Sequence, residues 1–402
     1  MTSKPMVDLT GSFTTRMHEV LGEAARRGPL ATDEITGATV VLRQRDVEAL
    51  ARDERLNGIG LALFDLMGIS DGPLRGWYSR LLVTTEGDYH RRLRSLVSRA
   101  FTPRSVEELR PTAAELAADA IASATRDGGD LVAACAGLST RLICRLLGVP
   151  DSDVSAFSRW GDALSPVFYV MTPDQIAEAT RAIVELRRYV AALAQRRTED
   201  PAPDLITGLL TAEADGDRLT RDETVAMIAN LLVAGHDTTG SQIPCSLLVT
   251  LQHRDRLDGV AGDDALLASA VAETMRIEPS IPLIPRTAIA PIDLHDTTIP
   301  AGSIVLLCIA SACRDGSAWH EPDRFDPGRF TRPGMPRLMN FGAGAHYCLG
   351  TSLAKVAVEE CVRAALAARP SLRLAEDPAE IAWRRVLGRS PERLLVDPDS
   401  AV

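Results

Sequence analysis

Cys348 is the residue in this chain best placed to do chemistry. It sits in the run Phe341-Gly-Ala-Gly-Ala-His-Tyr-Cys-Leu-Gly350, directly ahead of a helical pattern. A thiol at a helix N-terminus faces unpaired backbone N–H groups and the positive end of the helix dipole, which favours the thiolate. The chain has seven cysteines, scattered without close pairs. The other six, Cys135, Cys144, Cys245, Cys308, Cys313 and Cys361, read as small buried hydrophobes. A thiolate offered from a loop, with no second ligand cysteine beside it, suits a single axial bond to a flat cofactor. Gly342, Gly344 and Gly350 would let backbone approach such a plane.

Three further constellations carry polar groups at telling spacings. Asp237 and Thr238 stand in Leu232-Val-Ala-Gly-His-Asp-Thr-Thr239, an apolar context where polar side chains are costly unless satisfied or used. An acid beside an alcohol can relay protons; equally, the hydroxyl can bond back to the preceding turn. Glu273 and Arg276 are three apart on one helix face, a spacing that alone marks an ordinary surface ion pair. His90 and Arg94, four apart, share a face of another predicted helix.

The elements that must position these groups follow from periodicity and breakers. The cysteine helix runs from Thr351 to Leu366, with Pro370 as its stop. A very long helix runs from about Arg221 to Leu251, on the order of 45 Å. Pro244 lies inside it, which predicts a kink or disrupted turn between Gly240 and Pro244. Helical periodicity dominates from Pro103 to Pro203, with breaks at 127–130 and 148–150 and a polar connection over 197–204. Short strands are expected at 38–43, 292–294, 297–299, 304–307 and 393–396, with a helix over 46–52. The fold class is therefore mainly α with a minor β portion, read as a single domain over 1–402.

The pattern F-G-x-G-x-H-x-C-x-G around Cys348 resembles the haem-binding loop of the cytochrome P-450 family. That resemblance extends over essentially the whole chain and implies the P-450 fold, with the long central helix over the haem. It implies haem b as cofactor, with the Cys348 thiolate as axial iron ligand within a loop containing Phe341, Gly342 and Gly350. Ala-Gly-x-Asp-Thr-Thr resembles the family's oxygen-activation motif. By that likeness Ala234 and Gly235 leave room over the haem, Thr238 hydrogen-bonds the oxygen, and Asp237 relays protons. His236 receives no role. Glu273 and Arg276 match the family's Glu-x-x-Arg pair, linked to Arg329 in Phe325-Asp-Pro-Gly-Arg-Phe330, as a buried brace for the cysteine loop. His90, Arg94, Arg286 and His346 match contacts to the two haem propionates.

Composition excludes several other classes. A net charge of −10 argues against a general nucleic-acid binder, and 46% hydrophobic residues against disorder. No apolar run approaches the roughly 18 residues of a membrane span, and no signal peptide is visible, so a cytoplasmic monomer is expected. The segment from His90 to Arg104 carries arginines and no acid. Arg91, Arg92, Arg99 and Arg104 are expected on the outer surface, steering an acidic electron carrier. The resemblance implies a ferredoxin reduced by a separate reductase. The expected reaction inserts one atom of O2 into a lipophilic small molecule such as a natural-product intermediate. Alternatives are desaturation, coupling or rearrangement at the same haem, or a haem sensor without turnover. Residues 61–83, 164–171 and 280–284 are expected to line the substrate pocket, with Asp65, Asp71, Arg75 and Arg80 facing solvent.

Overall fold

The longest helix is set by its own ends and by burial on every side. Thr220 caps it: its hydroxyl accepts from the Glu223 amide while the Glu223 carboxylate accepts from the Thr220 amide. Asp222 and Glu223 add acid to the first turn, where the helix dipole favours it. From there the computed structural model has one helix over Arg221–Gln252. The structure describes residues 4–126, 129–214, 216–368, 372–385 and 387–397. Of the kink or disrupted turn expected at Pro244, the disrupted turn does not occur. The helix continues through it, with Pro244, Ile243 and Cys245 all buried. Packing against neighbours on all sides holds the segment helical although proline removes one backbone donor.

The helices Leu138–Leu147, Val154–Leu164, Pro173–Glu199, Asp264–Ile277 and Thr351–Ala368 pack against this long helix. Together they enclose the largest apolar cluster, in which Leu142, Phe157, Ile183, Ile228, Leu247 and Val358 are fully buried. Two of them show a local reason to stop or start. Gly148, at φ 72°, closes the first in the left-handed conformation that glycine adopts without penalty. Thr172 and Pro173 open the long Pro173–Glu199 helix through a capping box.

The strands gather at one side. A six-stranded sheet runs in the order Met6–Val7, Leu30–Asp33, Thr39–Val41, Ile304–Cys308, Leu283–Ala288, Leu56–Asn57. Ile304–Cys308 pairs parallel with Thr39–Val41 and antiparallel with Leu283–Ala288, where Val305 faces Arg286. Alternation sorts its side chains: Leu30, Val41, Val305 and Leu307 join one apolar cluster, and Ala31, Val40 and Cys308 another.

Two-stranded hairpins join Ile292–Leu294 to Thr297–Ile299, Glu213–Ala214 to Asp217–Arg218, and Trp383–Arg385 to Arg389–Pro391. The strand expected at 393–396 does not form. Leu395 and Val396 make only isolated bridges, to Asp130 and Leu374. Pro370 lies outside the described residues. No helix among the described residues is long and apolar enough to cross a membrane.

Candidate active site

The cysteine loop is built from two short 3-10 turns, Met339–Phe341 and Gly344–His346, joined through Gly342 at φ +67°. The Cys348 amide donates to the Phe341 carbonyl at 2.9 Å, and the Thr351 hydroxyl donates to the Cys348 carbonyl at 2.8 Å. Gly344, at φ +69°, is required by a contact within the protein as well. A Cβ there would lie 2.8 Å from the Ala51 carbonyl oxygen, so the loop is pressed onto the 51–52 backbone. Of the seven cysteines Cys348 alone is exposed, and the other six are buried as expected.

Although Cys348 is exposed as a residue, protein packs around its sulfur, and that packing by itself does not favour the thiolate. The protein packed around the sulfur pushes the thiol above its ordinary range, although the Gly350 amide, the Thr351 hydroxyl and the Arg94 charge pull the other way. Desolvation outweighs the helix N-terminus here. A coordinating metal ion overrides that balance, because it displaces the thiol proton outright.

Four basic side chains meet beside this loop. His90 and His346 stack, with ring centroids 4.5 Å apart. His90 Nε2 is buried without a hydrogen-bond partner. Arg286 is buried, and its guanidinium donates to the carbonyl of Pro285, its own neighbour. Burial lowers His90, His346, Arg94 and Arg286 below their ordinary ranges. For Arg94 the Cys348 and Tyr347 charges oppose that drop, and for Arg286 the Glu86 charge does. Buried cations with so little counter-charge are costly. Two carboxylates, as haem carries, would supply what this cradle lacks, so the residues fit the group.

Sequence reasoning missed one acid here. Glu86, immediately before the Gly87–Ala100 helix, accepts from the Gly58 amide at 2.6 Å and bonds His346 Nε2 at 3.0 Å. Its place one residue ahead of a helix that carries His90 and Arg94 was the available signal.

The other group of candidate residues lies on the long helix. Ala234 is exposed in the middle of an otherwise largely buried stretch, one turn before Thr238. The Thr238 hydroxyl donates to the Ala234 carbonyl at 2.8 Å, the back-bonded alternative that the sequence left open. Gly235 does not face the same way. A Cβ there would meet Ile143 of the Leu138–Leu147 helix at 3.7 Å, an ordinary contact. Asp237 is buried, and its carboxylate accepts from the Gly388 amide at 2.7 Å. His236 is structural, held between Thr140 at 2.6 Å and Asp162 at 2.9 Å.

Glu273, Arg276 and Arg329 form the buried triad that the likeness implied. Arg276 pairs with Glu273 through two bonds of 2.7 and 2.8 Å, and Arg329 reaches the same carboxylate at 2.9 Å. Their remaining donors go to the carbonyls of Cys313, Pro322, Arg324, His320 and Glu321. The triad thus fastens residues 313–326, not the cysteine loop itself. The link to the loop is Asn340, unremarked in the sequence, which donates to the Met275 carbonyl at 2.8 Å.

Two of the expected pocket stretches do meet. Phe64 stacks on Tyr78 at 4.2 Å, Tyr78 lies 6.1 Å from Phe168, and the Met171 amide points at Met67 sulfur. Ser280 joins the third to the long helix through Gln242 at 3.0 Å. The hairpin tip at 387–389 joins them as well: the Arg389 amide donates to the Ser280 carbonyl at 2.7 Å. No strong motif in the sequence flagged it.

Arg75 is not free in solvent, being pinned by Asp65 and the Ile69 carbonyl at 2.7 Å each. The basic segment is likewise partly neutralised. Arg92 turns inward to Asp217 and Glu223, Arg91 pairs with Asp88, and Arg104 with Glu108.

Comparison with known proteins places this arrangement. The family model "Cytochrome P450" matches residues 265–367. Cytochrome P450 monooxygenase PikC of Streptomyces venezuelae is 39% identical over 300 residues, 73% of this chain and 70% of that one. The solved structure of CalO2 superposes with a TM-score of 0.88 at 28% identity, covering 98% of each chain. The P450 PksS of the Bacillus subtilis bacillaene polyketide synthase gives 0.85 at 27% identity, covering 96% of this chain and 98% of that one. The chain belongs to the cytochrome P450 family. It is accordingly an oxidoreductase of the monooxygenase class, whose cofactor is haem with a cysteine thiolate as axial ligand.

Proposed function

We propose that the chain inserts one atom of O2 into a lipophilic natural-product intermediate. It would do so as a single-domain cytoplasmic monomer taking electrons from a ferredoxin with a separate reductase. The observation that carries the site assignment is the single exposed cysteine, Cys348, beside buried basic groups poor in counter-charge. When bound, haem supplies the iron centre at which O2 is reduced and split, and a thiolate ligand favours that splitting.

The chain's own residues do the rest. The Cys348 sulfur ligates iron, and the loop residues Phe341, Gly342 and Gly350 shape its approach. His90, Arg94, Arg286 and His346 hold the propionates. Ala234 keeps the distal face open. With haem and O2 present, the Thr238 hydroxyl would turn from the Ala234 carbonyl to donate a hydrogen bond to O2, and Asp237 would hold and pass on protons. Glu273, Arg276 and Arg329 are structural. The lipophilic substrate class is supported by the Phe64, Tyr78, Phe168, Met67 and Met171 cluster. The natural-product reading is supported by PksS, whose title places it with a polyketide synthase.

Reduced, CO-treated protein should show the Soret shift of thiolate ligation, and Cys348→Ala should lose it. An unchanged spectrum in the variant would refute the ligand assignment. Thr238→Ala should keep its haem and release more peroxide per electron consumed. Unaltered peroxide release would remove its role at the oxygen.

A further inference from the structure

The tip of the C-terminal hairpin touches two things at once. On one side the Gly388 amide donates to the Asp237 carboxylate at 2.7 Å. On the other, the Tyr169 hydroxyl donates to the carbonyl of Leu387, one residue back, at 2.9 Å. The contact with the long helix is close: a Cβ on Gly388 would stand 2.5 Å from Cβ and Oγ of Ser241. Only glycine lets that backbone sit where its N–H reaches Asp237. Tyr169 is itself anchored, with the Arg385 guanidinium 5.8 Å from its ring centroid. It follows Phe168, which packs toward Tyr78 in the apolar cluster at the substrate side.

We infer that Tyr169 is a positioning residue for Asp237, acting through the Leu387–Gly388 tip. Its hydroxyl fixes the Leu387 carbonyl, the adjoining Gly388 amide then points at the carboxylate, and the carboxylate is held in one orientation. The segment at 164–171, expected to line the substrate pocket, is thereby tied to the acid proposed to supply protons. A substrate or a motion that moves Tyr169 reorients Asp237. This rests on the proton role proposed above for Asp237.

The test needs neither the substrate nor a redox partner. Haem-loaded protein is adsorbed on a rotating ring–disc electrode with O2 as the only oxidant, and the ring reads the fraction of O2 released as peroxide. Asp237→Asn should raise that fraction, and Tyr169→Phe should raise it roughly threefold, the scale on which one lost neutral hydrogen bond shifts an equilibrium. Haem content and melting temperature should stay at the wild-type values in Tyr169→Phe. Gly388→Ala should give the same rise, and adding Ser241→Gly should reverse it.

A wild-type fraction in Tyr169→Phe alongside a raised one in Asp237→Asn would overturn the inference alone. A wild-type fraction in Asp237→Asn would instead remove the proton role beneath it. A Gly388→Ala rise that Ser241→Gly leaves in place would also count against the strap, because it would mean general disruption.

Discussion

At the scale of single residues, a buried charge is costly unless partners offset its desolvation. Glu278 is an example away from the haem site. It is buried, bonded to Arg389 and, at 2.9 Å, to His18. Burial alone would push its carboxyl up. The charges of His18, Arg389 and Arg314 outweigh that and bring it down to about 2. Burial also holds His18 below its ordinary range, against the pull of the Glu278 charge.

A carboxyl depressed in the folded state stabilises that state above its unfolded pKa of 4.5. The contribution disappears as pH falls through the folded value, here about 2. Glu278→Gln should therefore lower the melting temperature at pH 7 and flatten its fall between about pH 4.5 and pH 2. Parallel pH–melting curves for the two proteins would contradict this. None of it was readable beforehand, because Glu278, Arg389 and His18 are far apart in sequence and meet only through tertiary packing.

At the scale of elements, the cysteine loop depends on what lies behind it. Gly344→Ala puts a Cβ 2.8 Å from the Ala51 carbonyl at a φ of +69°. It should cost about 1–3 kcal/mol in strain and lower the haem content of purified protein. Full haem occupancy with wild-type melting would show the loop to be softer than its packing implies. Glu273→Gln should cost more, about 3–5 kcal/mol, because it strips the counter-charge from two buried arginines. The damage should appear as melting of the 313–326 segment, read by hydrogen exchange, before haem is lost; simultaneous loss would mean that the triad braces the cysteine loop directly. The triad's membership was legible in sequence, because three residue types at family spacings were present. Its target was not, since carbonyl acceptors leave no trace in residue type. Asn340 was silent for a related reason: a single asparagine ahead of Phe341 does not announce a bond to the Met275 carbonyl.

At the scale of the whole molecule, a chain of net charge −10 presents a cationic face only where its arginines lack partners. The basic run before Arg104 promised several, but Arg91, Arg92 and Arg104 each pair with a carboxylate. Arg99 is exposed and has no carboxylate partner among the described residues. Arg99→Ala should therefore slow reduction by a ferredoxin, most at low ionic strength, as expected of charge steering. Arg92→Ala should instead lower the melting temperature, since it releases the Asp217 and Glu223 side chains. Stopped-flow reduction against salt concentration, paired with melting curves, separates the two. Equal rates for Arg99→Ala and wild type at every salt concentration would exclude a docking role for this arginine.

What residue types and spacing determined alone was the inventory: one cysteine in a glycine loop ahead of a helix, an acid–alcohol pair mid-helix, paired cations, and a mainly helical chain. Those signals are local, carried by neighbours within one or two turns, so sequence order preserves them. What tertiary structure alone decided was the facing of each group. Gly235 turns to Ile143, Thr238 bonds back to Ala234, Pro244 stays helical under packing, and Glu86 reaches His346. It also decided that a hairpin near the C-terminus grips Asp237. Apart from the Thr238–Ala234 bond, which lies within one helix turn, such contacts join residues tens to hundreds of positions apart, and their energies come from burial and geometry that no local pattern encodes.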